Sequence, residues 1–344
     1  MPVGGRPMNS LHRSCIRSKG GLLALLVLLV LAAAVLSMGV GAVMLSPGEV
    51  LSALLGRNQG SAAYSIVCYA RLPRTLGCLL AGMALAMSGA IIQGVLANPL
   101  AAPNIIGVNS GAGLMVALCC ALFPSAMALT PVMAFLGALA GVMLVLLIAQ
   151  RTGAARITVV LAGVAVSSIF GAGIDAVVTF VPEALNGYSD FRIGGMSGLT
   201  MAKVLPAFWV IALAALIAFA MAGDMDVLML GSDTAQSLGL NARRCRLVLL
   251  TVAAALAGAA VSFCGLLGFV GLIVPHIMRR LVGEESRILL AACALGGAAL
   301  LTGCDLLSRV LFAPYELPVG IVLSLAGGPF FIWLLLRQRG GRTL

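Results

Sequence analysis

Long apolar runs recur along the whole chain, and short stretches between them hold most of the charged residues. The hydrocarbon core of a bilayer is about 30 Å thick, so a helix needs about 20 apolar residues to cross it. The pattern therefore predicts an all-α, polytopic membrane protein with about ten transmembrane helices. The predicted spans are residues 20–45, 75–96, 105–123, 131–149, 157–181, 204–222, 247–262, 265–278, 288–307 and 317–336.

The division of residues 247–278 into two spans rests on length and on topology. One helix of 32 residues would be about 48 Å long at 1.5 Å per residue, which exceeds the bilayer core. Gly265, Gly268, Gly271 and Pro275 offer places where the helix can end. Two spans also keep the later basic clusters on one side of the membrane, as the charge bias of cytoplasmic loops requires.

The basic residues fall in short clusters between the apolar runs. With ten spans, 15 of the 21 Lys and Arg residues lie on the cytoplasmic side, together with both termini. This distribution explains the net charge of +10 without nucleic acid as a partner. We expect a cytoplasmic tail at 1–19, a permease domain at 20–336 and a second cytoplasmic tail at 337–344.

Composition agrees with a membrane protein and argues against an enzyme. Hydrophobic residues make up 61% of the chain and charged residues 9%, whereas soluble domains carry about 25% charged residues. The chain has no GxxxxGK[ST] motif, no HExxH motif and no GxSxG motif. The nine cysteines form no CxxC pair and no cluster with histidine, so we interpret them as small buried hydrophobic residues and expect no metal site.

Acidic residues inside the spans are few. A secondary transporter usually carries ionisable groups near the middle of its helices to bind coupling ions. The candidates here are Asp175 and Asp305, and both lie nearer the outer end of a span. Arg309 follows Asp305 by one helical turn, which predicts a structural ion pair. Asp175 has no such explanation, so an ion-coupled transporter that works alone remains the alternative.

Five motifs share an order and a spacing with one transporter family. They are RLPRTL at 71–76, SGAIIQ at 88–93, NPLAAPNIIGVNSGA at 98–112, GFVGLIVPHIMR at 268–279 and ELPVGI at 316–321. With these motifs the chain resembles the FecCD-type permease subunits of type II ABC importers for iron–siderophore complexes, haem and cobalamin. The resemblance extends from about residue 65 to 336.

The resemblance implies a set of partners and a location. It implies a second permease copy in a homodimer, two cytoplasmic ABC ATPase subunits and a periplasmic or lipid-anchored substrate-binding protein, all at the inner (plasma) membrane. No cofactor is expected in this chain, whereas ATP and Mg²⁺ are expected on the partner ATPase. An iron(III)–siderophore, haem or cobalamin-like cargo would move inward along the axis between the two copies, lined largely by span five.

Three arginines are predicted on the outer side, against the charge bias. They are Arg71, Arg74 and Arg309. The resemblance implies acidic residues on the binding protein as their partners, and the planar guanidinium suits bidentate pairing with carboxylates. Anchoring of helix ends at lipid headgroups is the alternative interpretation.

The longest predicted cytoplasmic loop is 223–246. Ser232 or Asp233 can cap a short helix there, Ala235 and Leu238 give it an apolar edge, and Gly239 suits a left-handed C-terminal position. The resemblance implies that this is the coupling helix that contacts the ATPase. An ordinary interfacial helix is the alternative.

Two further segments are predicted near the inner side. Asn98, Pro99 and Pro103 shape an elbow after span two, because proline lacks an N–H and Asn98 can bind free backbone groups. The resemblance implies an inner gate at the start of span five. Its residues would be Arg156, Ile157 and Thr158. We expect His276 to pack at a helix end.

Overall fold

The computed structural model describes residues 8–41, 43–152, 156–313 and 315–339, and these residues form helices and no strands. Short 3₁₀ turns and one π-helical segment, Ile66–Arg71, connect some of the α-helices. The α-helices in chain order are α1 Met8–Gly39, α2 Pro47–Leu54, α3 Ala62–Ser65, α4 Leu72–Leu96, α5 Val108–Leu122, α6 Thr130–Arg151, α7 Arg156–Phe180, α8 Ala184–Ile193, α9 Met201–Ala220, α10 Ala222–Met229, α11 Ser232–Ser237, α12 Ala242–Cys264, α13 Val270–Val282, α14 Ser286–Val310 and α15 Val319–Arg339.

Each predicted span overlaps a helix, and most of these helices are long, which confirms a polytopic all-α protein. Within the described ranges, seven helical segments are long and apolar enough to cross a membrane. The segments α5 and Val319–Ile332 are apolar but shorter. The thirteen residues of α13 are too few to span a bilayer at 1.5 Å per residue. Ten is therefore an approximate number of spans.

The centre of the bundle is α4, which packs against α14, α12 and α13. The most apolar part of the segment that contains α4 is 78% buried, compared with 17% for α1 and 22% for α7. Small residues permit this packing. A Cβ on Gly82 would lie 2.2 Å from the carbonyl oxygen of Gly297 on α14, and one on Gly89 would lie 1.8 Å from that of Gly271 on α13. The backbones therefore touch at these positions, as small residues allow in membrane helices.

The predicted break in 247–278 is confirmed, and its geometry is unusual. The helix α12 ends at Cys264, and α13 begins at Val270. At Phe269 the backbone has φ +66° and ψ −32°, and the N–H of Val270 donates to the carbonyl of Gly268 at 2.8 Å. This is a γ-turn with positive φ, which is rare and strained for a residue with a side chain. The ring of Phe269 packs where a Cβ on Gly327 of α15 would lie.

The two ends of the bundle carry different polar groups. We call one the arginine end, because Arg71, Arg74 and Arg309 meet there. We call the other the α11 end, where Lys19 pairs with Glu285 at 3.5 Å and Arg246 donates to Ser232 at 3.0 Å. The helix α4 runs from the arginine end to the α11 end.

Candidate functional site

Two arginines bind the end of α1. Arg71 is 6% exposed, and its guanidinium donates to the carbonyl of Met38 at 2.6 Å and to that of Val43. Arg309 is 3% exposed and donates to the carbonyls of Ser37 and Val40 at 3.1 and 3.2 Å. The last carbonyls of a helix lack partners and carry a partial negative charge. The two cations therefore cap the C-terminus of α1 from two other helical segments.

One buried carboxylate joins Arg74 and Arg309. Asp305 is 0% exposed, and both of its oxygens accept from Nε of Arg74, at 3.0 and 3.2 Å. Its Oδ2 also lies 3.1 Å from Nη2 of Arg309, which confirms the ion pair predicted one helical turn apart. Nη1 of Arg74 pairs with Glu316 at 2.6 Å. The cluster thus contains three cations and two carboxylates.

A cavity of about 300 Å³ opens beside this cluster. Arg71, Arg74, Arg309 and Glu316 all line it, together with Tyr69. The structure therefore brings the three predicted docking arginines to one place. It also commits much of their hydrogen-bonding capacity internally, because Arg71 and Arg309 are buried against α1. Docking of a binding protein at these residues stays a prediction.

The predicted coupling helix is α11, and one detail of its prediction was wrong. Its N-cap is Gly231, and neither Ser232 nor Asp233 makes a capping hydrogen bond. The hydroxyl of Ser232 accepts instead from Arg246 of α12. The difference is tertiary in origin, since the hydroxyl binds a cation that lies 14 residues away in sequence.

The apolar edge of α11 divides into a buried and an exposed half. Ala235 is fully buried, whereas Leu238, which follows the helix, is 64% exposed. Gly239 has φ +84°, which is the left-handed conformation that its position predicted. The exposed Leu238 thus lies in a turn, directly before Gly239, at the α11 end of the bundle.

The predicted elbow follows α4. Ala97 has φ +46°, and the N–H groups of Ala97 and Asn98 donate to the carbonyls of Gly94 and Gln93. This is a Schellman arrangement that ends the helix. The side chain of Asn98 accepts from the N–H of Leu100 at 3.0 Å, which confirms that it binds the local backbone. Pro99 lies in the turn after α4, and Pro103 is buried at the start of the 3₁₀ turn Pro103–Ile106.

The helix α7 begins at the predicted gate. Its first residue is Arg156, whose side chain lies outside the described part of the structure. Ile157 is 70% exposed and Thr158 is partly exposed. Asp175 lies near the other end of α7 on the exposed face, and it has no salt bridge within the described residues. A gate role for the first three residues stays a prediction.

The comparisons with known proteins agree on one family. The family model for the FecCD transport family matches residues 27–337. The chain belongs to the FecCD transport family. It is 38% identical over 323 residues to the Fe(3+)-citrate import system permease protein YfmE of Bacillus subtilis, which covers 93% of this chain and 96% of the relative. It is 39% identical over 332 residues to the hemin transport system permease protein HmuU of Yersinia pestis, with 94% and 96% covered.

A solved structure also resembles this FecCD-family chain. It is described as an inward-facing conformation of a metal-chelate type ABC transporter. The superposition has a TM-score of 0.83 at 28% identity and covers 92% of this chain and 99% of the other. The two chains therefore share a fold over nearly their whole length.

Two of the sequence motifs meet in the structure of this family member, through Gln93 and Arg279, for which the sequence predicted no role. Nη1 of Arg279, from GFVGLIVPHIMR, donates to Oε1 of Gln93, from SGAIIQ, at 2.6 Å. Arg279 also donates to the carbonyl of Ala90, and Gln93 donates to that of Gly271. The signal that could have revealed this contact in the sequence is a glutamine within an apolar helix, because a buried amide needs a hydrogen-bond partner. The pair ties α13 to α4.

The remaining sequence assignments concern histidine and cysteine. The ring of His276 packs edge-on against Phe330 of α15 with centroids 6.3 Å apart, in agreement with a packing role. Eight cysteines are described, and all are free thiols. Seven of them are buried, as expected for small hydrophobic residues.

Proposed function

We propose that this chain is the permease subunit of an ABC importer that carries a chelated iron compound, an iron(III)–siderophore or haem, into the cytoplasm. The proposal rests on family membership and on relatives whose names state iron-citrate and hemin transport. A likeness to a metal-chelate type ABC transporter supports it. ATP and Mg²⁺ would bind separate ATPase subunits at the inner membrane, since the chain has no P-loop of its own.

The structural observation that supports the proposal is the exposed face of α7. Only 22% of its most apolar part is buried, and this face combines Leu161 and Ile169 with Ser168, Asp175 and Thr179. A carboxylate against lipid is unfavourable, so membrane helices turn such residues toward protein or water. We therefore assign this face to a water-filled pathway on the axis between two copies. The hydroxyls of Ser168 and Thr179 bind carbonyls of their own helix, which leaves the wall only weakly polar.

The orientation follows from charge. Basic residues gather at the α11 end, including Lys19, Arg151, Arg243 and Arg246. Cytoplasmic sides of membrane proteins carry such an excess. We place the α11 end in the cytoplasm and the arginine end outside, where the cavity of the arginine cluster would receive an acidic side chain of the binding protein.

The exposed Leu238 offers a test of the coupling role. Leu238→Asp should weaken binding of the ATPase subunit about tenfold or more, because a charge would replace an apolar anchor at the interface. Leu55→Asp is a matched control, since Leu55 is 60% exposed but follows α2, away from the α11 end. Affinity is measured by binding of purified ATPase to the permease in nanodiscs. Equal effects of the two substitutions would refute the assignment.

Reconstitution tests the function as a whole. Vesicles that contain the permease, its ATPase and its binding protein should take up a radioactive iron chelate only when ATP is present on the side of the membrane where the ATPase lies. Omission of any one component should abolish uptake. Uptake by the permease alone, driven by a proton or sodium gradient and lost in Asp175→Asn, would contradict the proposal and favour the secondary transporter instead.

The exposed carboxylate of Asp175 is the specific observation that favours the second candidate function, an ion-coupled secondary transporter. In the importer, Asp175→Asn should leave uptake dependent on ATP, and a pH or sodium gradient should have no effect. The two candidates thus predict opposite responses to the same variant.

A further inference from the structure

Two cavities meet at the start of α9, outside the sites described above. One, of about 410 Å³, is an apolar groove between α6, α9 and α12, lined by Phe135, Pro206 and Val210. The other, of about 250 Å³, is more polar and reaches Thr130, Asp190 and Gly265. Lys203, Ser262 and Pro131 line both. A single ammonium group therefore stands at the junction of an apolar and a polar chamber.

The charged groups of this junction are not neutralised by the protein. Lys203 is exposed, and neither its ammonium nor the carboxylate of Asp190 has a hydrogen-bond or ion-pair partner among the described residues. The other lysine of the chain, Lys19, is paired with Glu285. Pro206 also lacks an N–H, so it cannot donate to the carbonyl of Ala202, which lines the groove. The junction thus offers one cation and one anion.

The groove runs into the region that faces lipid. The helix α9 is a candidate span, and Leu205, Trp209, Leu213 and Leu216 are more than half exposed along it. Lys203 lies in the first turn of this helix, at the level of a membrane interface. Val210 lies seven residues deeper, which is about 10 Å along a helix. The site is therefore polar at the interface and apolar toward the bilayer core.

We propose that the two chambers bind one phospholipid with an ethanolamine headgroup. Its phosphate would pair with Lys203, its ammonium would donate to Asp190, and one acyl chain would lie in the groove beside Phe135 and Pro206. Charge complementarity selects a zwitterionic headgroup, because an anion and a cation a few atoms apart match the cation and anion of the junction, and the N–H groups of ethanolamine favour it over choline, since Asp190 can accept hydrogen bonds from them. Neither group of the protein alone would select it.

Native mass spectrometry of the detergent-purified protein tests the proposal with lipids of one acyl composition. The probes are phosphatidylethanolamine, its mono-, di- and trimethylated forms, and phosphatidylglycerol. Retention should fall stepwise with methylation, since each methyl group removes an N–H that Asp190 can accept. Phosphatidylglycerol, which has no ammonium, should bind about tenfold more weakly than phosphatidylethanolamine.

Variants separate the two contacts. Lys203→Gln should lower the affinity for all five lipids about tenfold, whereas Lys203→Arg should retain it. Asp190→Asn should lower the affinity most for phosphatidylethanolamine, less as methylation increases, and should not lower that for phosphatidylglycerol, which has no ammonium. Lys19→Gln is the control, because Lys19 lies at the α11 end.

Three results would overturn the proposal. The first is equal retention of all five lipids by the parent protein. The second is tighter binding of phosphatidylglycerol than of phosphatidylethanolamine, which would indicate a site for acidic lipids. The third is the same loss in Lys19→Gln as in Lys203→Gln. The methylation series uses the unaltered chain, so it remains decisive even if a variant fails to fold.

Discussion

At the scale of the residue, Asp305 is a buried anion that two arginines share. It is fully buried and holds Arg74 and Arg309, while Arg309 in turn caps α1. Buried ion pairs contribute little net stability when complete, but loss of one partner leaves a charge without compensation. The carboxylate is therefore required by the two cations around it.

We expect Asp305→Asn to lower the free energy of unfolding by about 3–5 kcal/mol, because the buried Arg309 loses its only carboxylate among the described residues and the partly buried Arg74 loses one of its two. Glu316→Gln removes the more exposed partner of Arg74 and should cost less than about 1 kcal/mol. Thermal unfolding in detergent measures both. Similar losses in the two variants would mean that burial of Asp305 does not matter.

At the scale of the element, contact between helix backbones decides the packing. A Cβ on Gly297 of α14 would lie 2.1 Å from the carbonyl oxygen of Gly82 and 2.6 Å from the Cβ of Ala86, both on α4. Gly303 lies on the same helix with nothing within 4 Å of its Cβ position. Gly297 and Gly303 therefore differ in the space around them, although both lie in the same helix.

Gly297→Ala should destabilise the protein by roughly 1–3 kcal/mol, because the central helices must separate. Gly303→Ala should leave stability unchanged or raise it by up to about 1 kcal/mol, since alanine favours a helix over glycine. Chemical unfolding followed by circular dichroism compares the two. A destabilised Gly303→Ala together with a neutral Gly297→Ala would contradict the packing of α4 on α14.

The turn at Phe269 gives a second prediction at this scale. Phe269→Gly and Phe269→Ala both remove the ring that packs at Gly327, but only glycine adopts a positive φ without strain. The glycine variant should be more stable than the alanine variant by about 1 kcal/mol or more. Equal stability of the two in thermal unfolding would show that this turn is not strained.

At the scale of the whole molecule, Arg74 at the arginine end has two proposed roles, docking of the binding protein and a structural ion pair, and experiments can distinguish them. Arg74 lines the cavity and is already paired with Glu316 at 2.6 Å. If a carboxylate of the binding protein competes with Glu316 for Arg74, substitutions of Arg74 and of Glu316 should have opposite effects on docking. If the Arg74–Glu316 pair is purely structural, the two substitutions should not have opposite effects.

Arg74→Gln should weaken binding of the cargo-loaded binding protein, and Glu316→Gln should strengthen it, each by several-fold at low salt. Both effects should shrink as ionic strength rises, because salt screens charges near the surface. Surface plasmon resonance on nanodisc-embedded complexes measures the affinities. Weaker binding in both variants would refute a docking role for Arg74.

Much of the site could be anticipated from the sequence because its signals are local. The left-handed Gly239, the backbone contact of Asn98 and the Asp305–Arg309 pair each depend on neighbours within one or two turns. The contacts that the sequence did not predict are long-range. The pairing of Arg74 with Asp305 spans 231 residues, and the contact of Arg279 with Gln93 spans 186.

The sequence by itself determined that the chain crosses a membrane through about ten helices, where those helices lie and which family it resembles. Hydrophobicity and turn chemistry act on consecutive residues, so they can be recognised without coordinates. Only the tertiary structure decided that two arginines cap α1, that α13 is too short to span a bilayer and that Lys203 joins two cavities. These features depend on which helices become neighbours, and that follows from packing of the whole bundle.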